Sequence, residues 1–93
     1  MQFKNKEDIE DINFACEPKK SKVILKKYSP SRKNALLVCE RTDGTFTYGL
    51  YFWDLSDYEY IGHGFWALSS EGGFYSELKS AIKDAELEFK SKL

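Results

Sequence analysis

Residues 35–53, ALLVCERTDGTFTYGLYFW, limit most tightly what this chain can become. Two runs rich in β-branched and aromatic residues flank Asp43-Gly44. Such runs fit a pleated, half-buried surface, and Asp-Gly suits the two central positions of a type I′ turn, which both require positive φ. An antiparallel hairpin follows. Pairing outward from a two-residue turn sets Thr42 opposite Thr45, Arg41 opposite Phe46, Cys39 opposite Tyr48 and Leu37 opposite Leu50. Side chains alternate along a strand. One face therefore carries Leu37, Cys39, Phe46, Tyr48, Leu50 and Phe52, and is the better core candidate. The other carries Leu36, Val38, Glu40, Thr47, Tyr51 and Trp53, apolar toward the open end and polar toward the turn. One helix covers only one side of a sheet, so this second face needs its own explanation.

The covering helix is readable at the C-terminus. Phe74, Leu78, Ala81, Ile82, Ala85 and Phe89 form a continuous stripe at helical period. Ser76, Lys79, Lys83, Glu86 and Lys90 fill the polar side. Ser69 or Ser70 is the candidate cap, and Lys90 and Lys92 suit the negative end of the helix dipole. Residues 23–28 read as a strand closed by the turn residues Ser29-Pro30-Ser31. Residues 54–57 read as a turn, Tyr58–Ile61 as the start of a strand broken by Gly62-His63-Gly64, and residues 65–69 as a short strand. Residues 5–14 predict a short helix capped by Asn5, with Glu7 and Asp8 in its first turn and Ile9 and Ile12 on one face. The expected fold is α+β: an antiparallel sheet of about four strands packed against a C-terminal amphipathic helix, with a short N-terminal helix. At 93 residues a second core has no room, so residues 1–93 make one domain. Stability at this size is roughly 5–10 kcal/mol, and loss of one core aromatic would remove ~3–5 kcal/mol of it.

Chemistry is sparse. The single histidine, His63, sits between glycines and reads as an exposed turn residue. No G-x-S-x-G or Ser/His/Asp pattern activates a nucleophile. Asp54, Asp57 and Glu59 read as a solvated acidic turn, and their spacing lacks the glycine of a calcium loop. Cys16, Cys39 and His63 contain no short chelating pair. The expectation is a protein that is not an enzyme, with no metal and no cofactor. No run approaches the ~20 apolar residues of a membrane helix, and residues 1–11 lack the apolar core of a signal peptide. These features predict a soluble, cytoplasmic protein without membrane association, in which both cysteines are thiols.

The net charge of −1 conceals an uneven distribution. From residue 18 to 33 there are seven basic residues, Lys19, Lys20, Lys22, Lys26, Lys27, Arg32 and Lys33, and no acid. From residue 42 to 78 there are six acids, Asp43, Asp54, Asp57, Glu59, Glu71 and Glu77, and no Lys or Arg. Either the segments lie together and cancel, or the domain is polarised and steers a charged partner. The densest feature is WDLSDYEYIGHGFW, residues 53–66, where Trp and Tyr, the residues favoured at interface hot spots, are rimmed by carboxylates.

The final third, YEYIGHGFWALSSEGGFYSELKSAIKDAELEF, resembles small bacterial immunity proteins of polymorphic and contact-dependent toxin systems. The resemblance implies a stoichiometric inhibitor that blocks a cognate toxin, often a basic nuclease. It transfers no residue roles. From the residues themselves, the partner-binding candidates are Asp54, Asp57, Tyr58, Glu59, Tyr60, Trp66, Glu71 and Glu77. Two other readings stay open. One is a nucleic-acid-binding module using the basic segment 19–33, disfavoured because the aromatics lie in the acidic part. The other is a subunit or homodimer using the Tyr51/Trp53 sheet face, so that monomer and homodimer are both open.

Overall fold

The computed structural model describes residues 3–12 and 22–92. In chain order the elements are β1 (Lys22–Tyr28), β2 (Asn34–Glu40), β3 (Phe46–Asp54), α1 (Tyr58–Ile61), β4 (Phe65–Glu71) and α2 (Leu78–Ser91). The strands form one antiparallel sheet in the order β1-β2-β3-β4. This is the α+β architecture that patterning predicts.

Residues 58–61 are a single helical turn, not a strand. The Asp57 carbonyl accepts the N–H groups of Tyr60 and Ile61, both at 3.0 Å. Gly62, left-handed at φ +79°, closes the turn by donating to the Tyr58 carbonyl at 2.9 Å. Glycine reaches that conformation without a Cβ penalty.

The hairpin forms one residue out of the expected register. Val38 faces Tyr48 and Leu36 faces Leu50. The loop has three residues, Thr42, Asp43 and Gly44, bounded by Arg41 N–H to Thr45 O at 2.7 Å. Only Gly44 has positive φ, +87°, whereas a type I′ turn needs two such residues. Asp43 instead accepts the Thr45 backbone N–H at 3.0 Å and the Thr45 hydroxyl at 2.6 Å. A turn followed by a left-handed glycine is the usual three-residue hairpin loop. A one-residue slip exchanges the faces of one strand. Leu36 and Val38 therefore join Phe46, Tyr48 and Leu50, while Leu37 and Cys39 join Thr47, Tyr51 and Trp53.

α2 covers the first of these faces. Ala81, Ala85 and Phe89 are buried against Leu36, Val38, Tyr48 and Leu50, with Leu25, Leu78 and Ile82 at the margin. The two alanines let the helix approach closely. The helix starts later than the apolar stripe suggests, because Tyr75 pairs with Phe46 through two 2.8 Å backbone bonds and so is extended. Ser69 and Ser70 belong to β4 and cap nothing; the N-cap is Glu77, without a side-chain cap bond. Phe74 leaves the stripe and is 69% exposed, with the Arg41 guanidinium 4.0 Å from its ring centroid.

The second face is closed by the N-terminal segment, residues 3–12, which is a strap and not a helix. Asn5 turns its side chain to the Glu7 N–H at 2.9 Å, forming a local turn in place of a cap. The strap's carbonyls are claimed by aromatic side chains of the sheet and α1. Trp53 Nε1 donates to Lys6 O at 3.3 Å, Trp66 Nε1 to Glu10 O at 2.8 Å, and the Tyr58 hydroxyl to Lys4 O. A helix would have turned several of these carbonyls inward. Ile12 is buried among Ala35, Leu37, Cys39 and Tyr51, and its N–H donates to the Tyr28 hydroxyl at 3.0 Å. Residues 13 and 14 of the expected helix lie outside the described residues. Cys39 is disulfide-bonded, which corrects the thiol expectation for this residue. Cys16 lies outside the described residues.

Candidate functional site

The acidic-aromatic stretch centres on α1, and the strap holds it in place. Lys4 N–H donates to Gly62 O at 2.8 Å. The Phe3 ring meets the Tyr58 ring edge-on, with centroids 5.4 Å apart, and Lys6 Nζ stands 5.0 Å from the same ring. Tyr58 is thus a half-buried pivot between α1 and the strap. Tyr60, two residues on, is 80% exposed. Ile61, next in the chain, and Phe3, against Tyr58, are also exposed, and neither stood out in the sequence. Asp57 and Glu59 are exposed. Asp54, at the end of β3, accepts the Ser56 N–H at 2.8 Å and is half-buried. The result is an exposed ring and aliphatic side chain bordered by carboxylates.

The other expected residues are placed differently. Trp66 is half-buried, its indole N–H taken by Glu10, its ring 5.4 Å from Trp53 and 6.0 Å from Tyr28. It packs beneath the strap. Glu71 and Glu77 are exposed at the far end of the sheet. β4 runs from Phe65, opposite Asp54, to Glu71, opposite Gly49. At ~3.3 Å per residue those ends are about 20 Å apart. The structure therefore keeps Asp54, Asp57, Glu59 and Tyr60 on or next to α1 and its lead-in from β3, and separates Glu71 and Glu77 from them. The Tyr51/Trp53 face is not open for self-contact, since these rings are 9% and 8% exposed.

Among the described residues, the ion pairs of the basic segment are made outside residues 42–78. Arg32 pairs with Asp11 at 3.3 Å and Lys33 with Glu7 at 3.6 Å, both on the strap, and Lys27 with Glu86 of α2 at 3.5 Å. His63 is exposed, its Nδ1 2.8 Å from the Gly64 carbonyl. Among the described residues no three His, Cys, Asp or Glu side chains gather as metal ligands, and no helix is long and apolar enough to cross a membrane.

A polar network that sequence reasoning missed joins β3, β4 and α2. Glu88 accepts the Tyr48 hydroxyl at 2.8 Å and the Ser70 hydroxyl, and Tyr75 donates to Asp84 at 2.9 Å. Bonds from Ser70 and Tyr48 hold the Glu88 carboxyl below its ordinary range. Burial, with Glu88 next, pushes the Tyr48 phenol up; burial and the bond to Asp84 do the same for Tyr75. Only the i, i+4 pair Asp84/Glu88 on the polar side of the helix hinted at it. Compared with known proteins, the chain matches no family model, no curated protein and no solved structure.

Proposed function

We propose that this protein is a non-enzymatic inhibitor of the bacterial immunity type, which binds a basic toxin or nuclease domain through the surface built on α1. The observation that supports it most is Tyr60, 80% exposed on a one-turn helix that also carries Glu59 and has Asp57 as its N-cap. A large ring held in solvent costs hydrophobic free energy unless a partner covers it, and Tyr is a preferred hot-spot residue. The surrounding carboxylates would steer a basic partner and pair with its Lys and Arg. Ile61 and Phe3 extend the apolar centre. Tyr58 supports this surface from below, and Trp66 supports the strap. The expected cytoplasmic setting stands against the disulfide at Cys39, because such bonds persist chiefly in oxidising compartments.

The test uses the product of the adjacent gene. Co-expression with this protein is expected to relieve that product's toxicity, and calorimetry to give a one-to-one complex. The triple reversal Asp54→Lys, Asp57→Lys and Glu59→Lys should weaken the complex and flatten its salt dependence. Tyr60→Ala should raise Kd by about 2 kcal/mol, roughly thirtyfold. A triple variant that binds as well as the wild type would sink the proposal.

A further inference from the structure

α2 packs on β2 and β3 but stands off the edge strand β1. Between them lies a groove of about 590 Å³, whose lining includes Lys27, Pro30, Lys83, Glu86, Leu87, Phe89 and Lys90. We infer that this groove binds a single-chain amphiphile with an anionic head, of which an aliphatic carboxylate is the simplest case. Its volume is in the small-molecule range of about 300–1,000 Å³. Pro30, Leu87 and Phe89 give it its apolar lining, and Leu87 is 61% exposed although it lies on a helix flanked by lysines. Three lysines against one glutamate leave the lining with an excess of two positive charges. Lys83, Glu86, Leu87 and Lys90 are spaced i, i+3, i+4 and i+7, so one helix face presents the apolar side chain and both ammonium groups together. Lys27 is held by Glu86 at only 3.5 Å, with both side chains about half exposed (53% and 47%). An incoming carboxylate can therefore take Lys27 over while its tail lies along Leu87 and Pro30. The groove lies between α2 and the edge strand β1, whereas α1 joins β3 to β4 and none of its residues lines the groove, so the two sites share no residue.

Decanoate is the probe, followed on the intact protein by calorimetry and by amide chemical shifts. The expected result is saturable one-to-one binding with shifts at Tyr28, Leu87 and Lys90, weakened by added salt. Lys83→Glu with Lys90→Glu, both exposed positions, should weaken binding about tenfold, while Glu86→Gln should leave it intact or tighter. Decanol and decyltrimethylammonium should bind much more weakly. Equal binding of decanol, or undiminished binding by the double-reversal variant, would overturn the inference. So would shifts confined to another surface, or an acidic peptide occupying the groove where decanoate does not.

Discussion

The Tyr48 hydroxyl donates to Glu88 at 2.8 Å across the space between β3 and α2, and this bond is the centre of the clasp between sheet and helix. Ser70 on β4 donates to the other oxygen of the same carboxylate. A charged acceptor strengthens both bonds, so three elements are joined at one side chain.

Acid should loosen this clasp. The Glu88 carboxyl is lowered in the folded protein, so its stabilisation is complete above the unfolded value, about 4.3. It is lost as pH falls through the folded value. Glu88→Gln is expected to destabilise by about 1–2 kcal/mol at pH 7 and to flatten the decline of Tm below pH 4.5. A variant whose acid profile superimposes on the wild type would show that Glu88 is not linked to folding. Tyr48 has the opposite sign. Its raised phenol contributes fully below about pH 10 and loses its contribution as pH rises further.

Two glycines are packing sites. A Cβ on Gly72 would come within 2.1 Å of the Tyr48 ring, and one on Gly64 within 2.5 Å of Trp53. Both rings are buried and hydrogen-bonded. Gly72→Ala and Gly64→Ala should each cost about 1–3 kcal/mol by urea denaturation. Gly73→Ala, with nothing within 4 Å of its Cβ, is the matched control. If all three behave alike, the rings are not closely packed there.

The hairpin loop depends on one left-handed residue. Gly44→Ala has open space around its Cβ yet must hold φ near +87°, which should cost about 1–2 kcal/mol. Asp43→Ala removes both bonds to Thr45 and should cost about 1 kcal/mol. In a two-residue turn Asp43 would itself be left-handed, and Asp43→Gly would stabilise. Chemical denaturation should instead find Asp43→Gly destabilised.

Cys39 should give no thiol reaction in denatured, unreduced protein. Reduction should lower Tm, with a loss of about 2–4 kcal/mol if it behaves like other small-domain disulfides. Labelling of Cys39 without reductant would contradict the bond.

Several elements were legible because their causes are local. The alternation of residues 35–40 and 46–54, the turn chemistry at Asp43-Gly44, and the helical spacing of Leu78, Ala81, Ala85 and Phe89 each depend on neighbours within one or two turns of chain. Those suffice for an antiparallel sheet and a covering helix. The acidic and aromatic character of residues 54–60 was visible for the same reason. Other outcomes were decided by contacts distant in sequence. Asp43 and Thr45 chose a three-residue loop, and that single step moved Leu36 and Val38 to the helix side. The pairing of Tyr75 with Phe46 shortened α2. The indoles of Trp53 and Trp66 and the phenol of Tyr58 needed acceptors, and they drew residues 3–12 into a strap where helical pattern had been expected. That strap half-buried Trp66 and tied down Tyr58, while Tyr60 stayed in solvent. The residue types of the α1 surface are a property of the sequence, but which rings are free to meet a partner follows from where buried hydrogen-bond donors found their carbonyls.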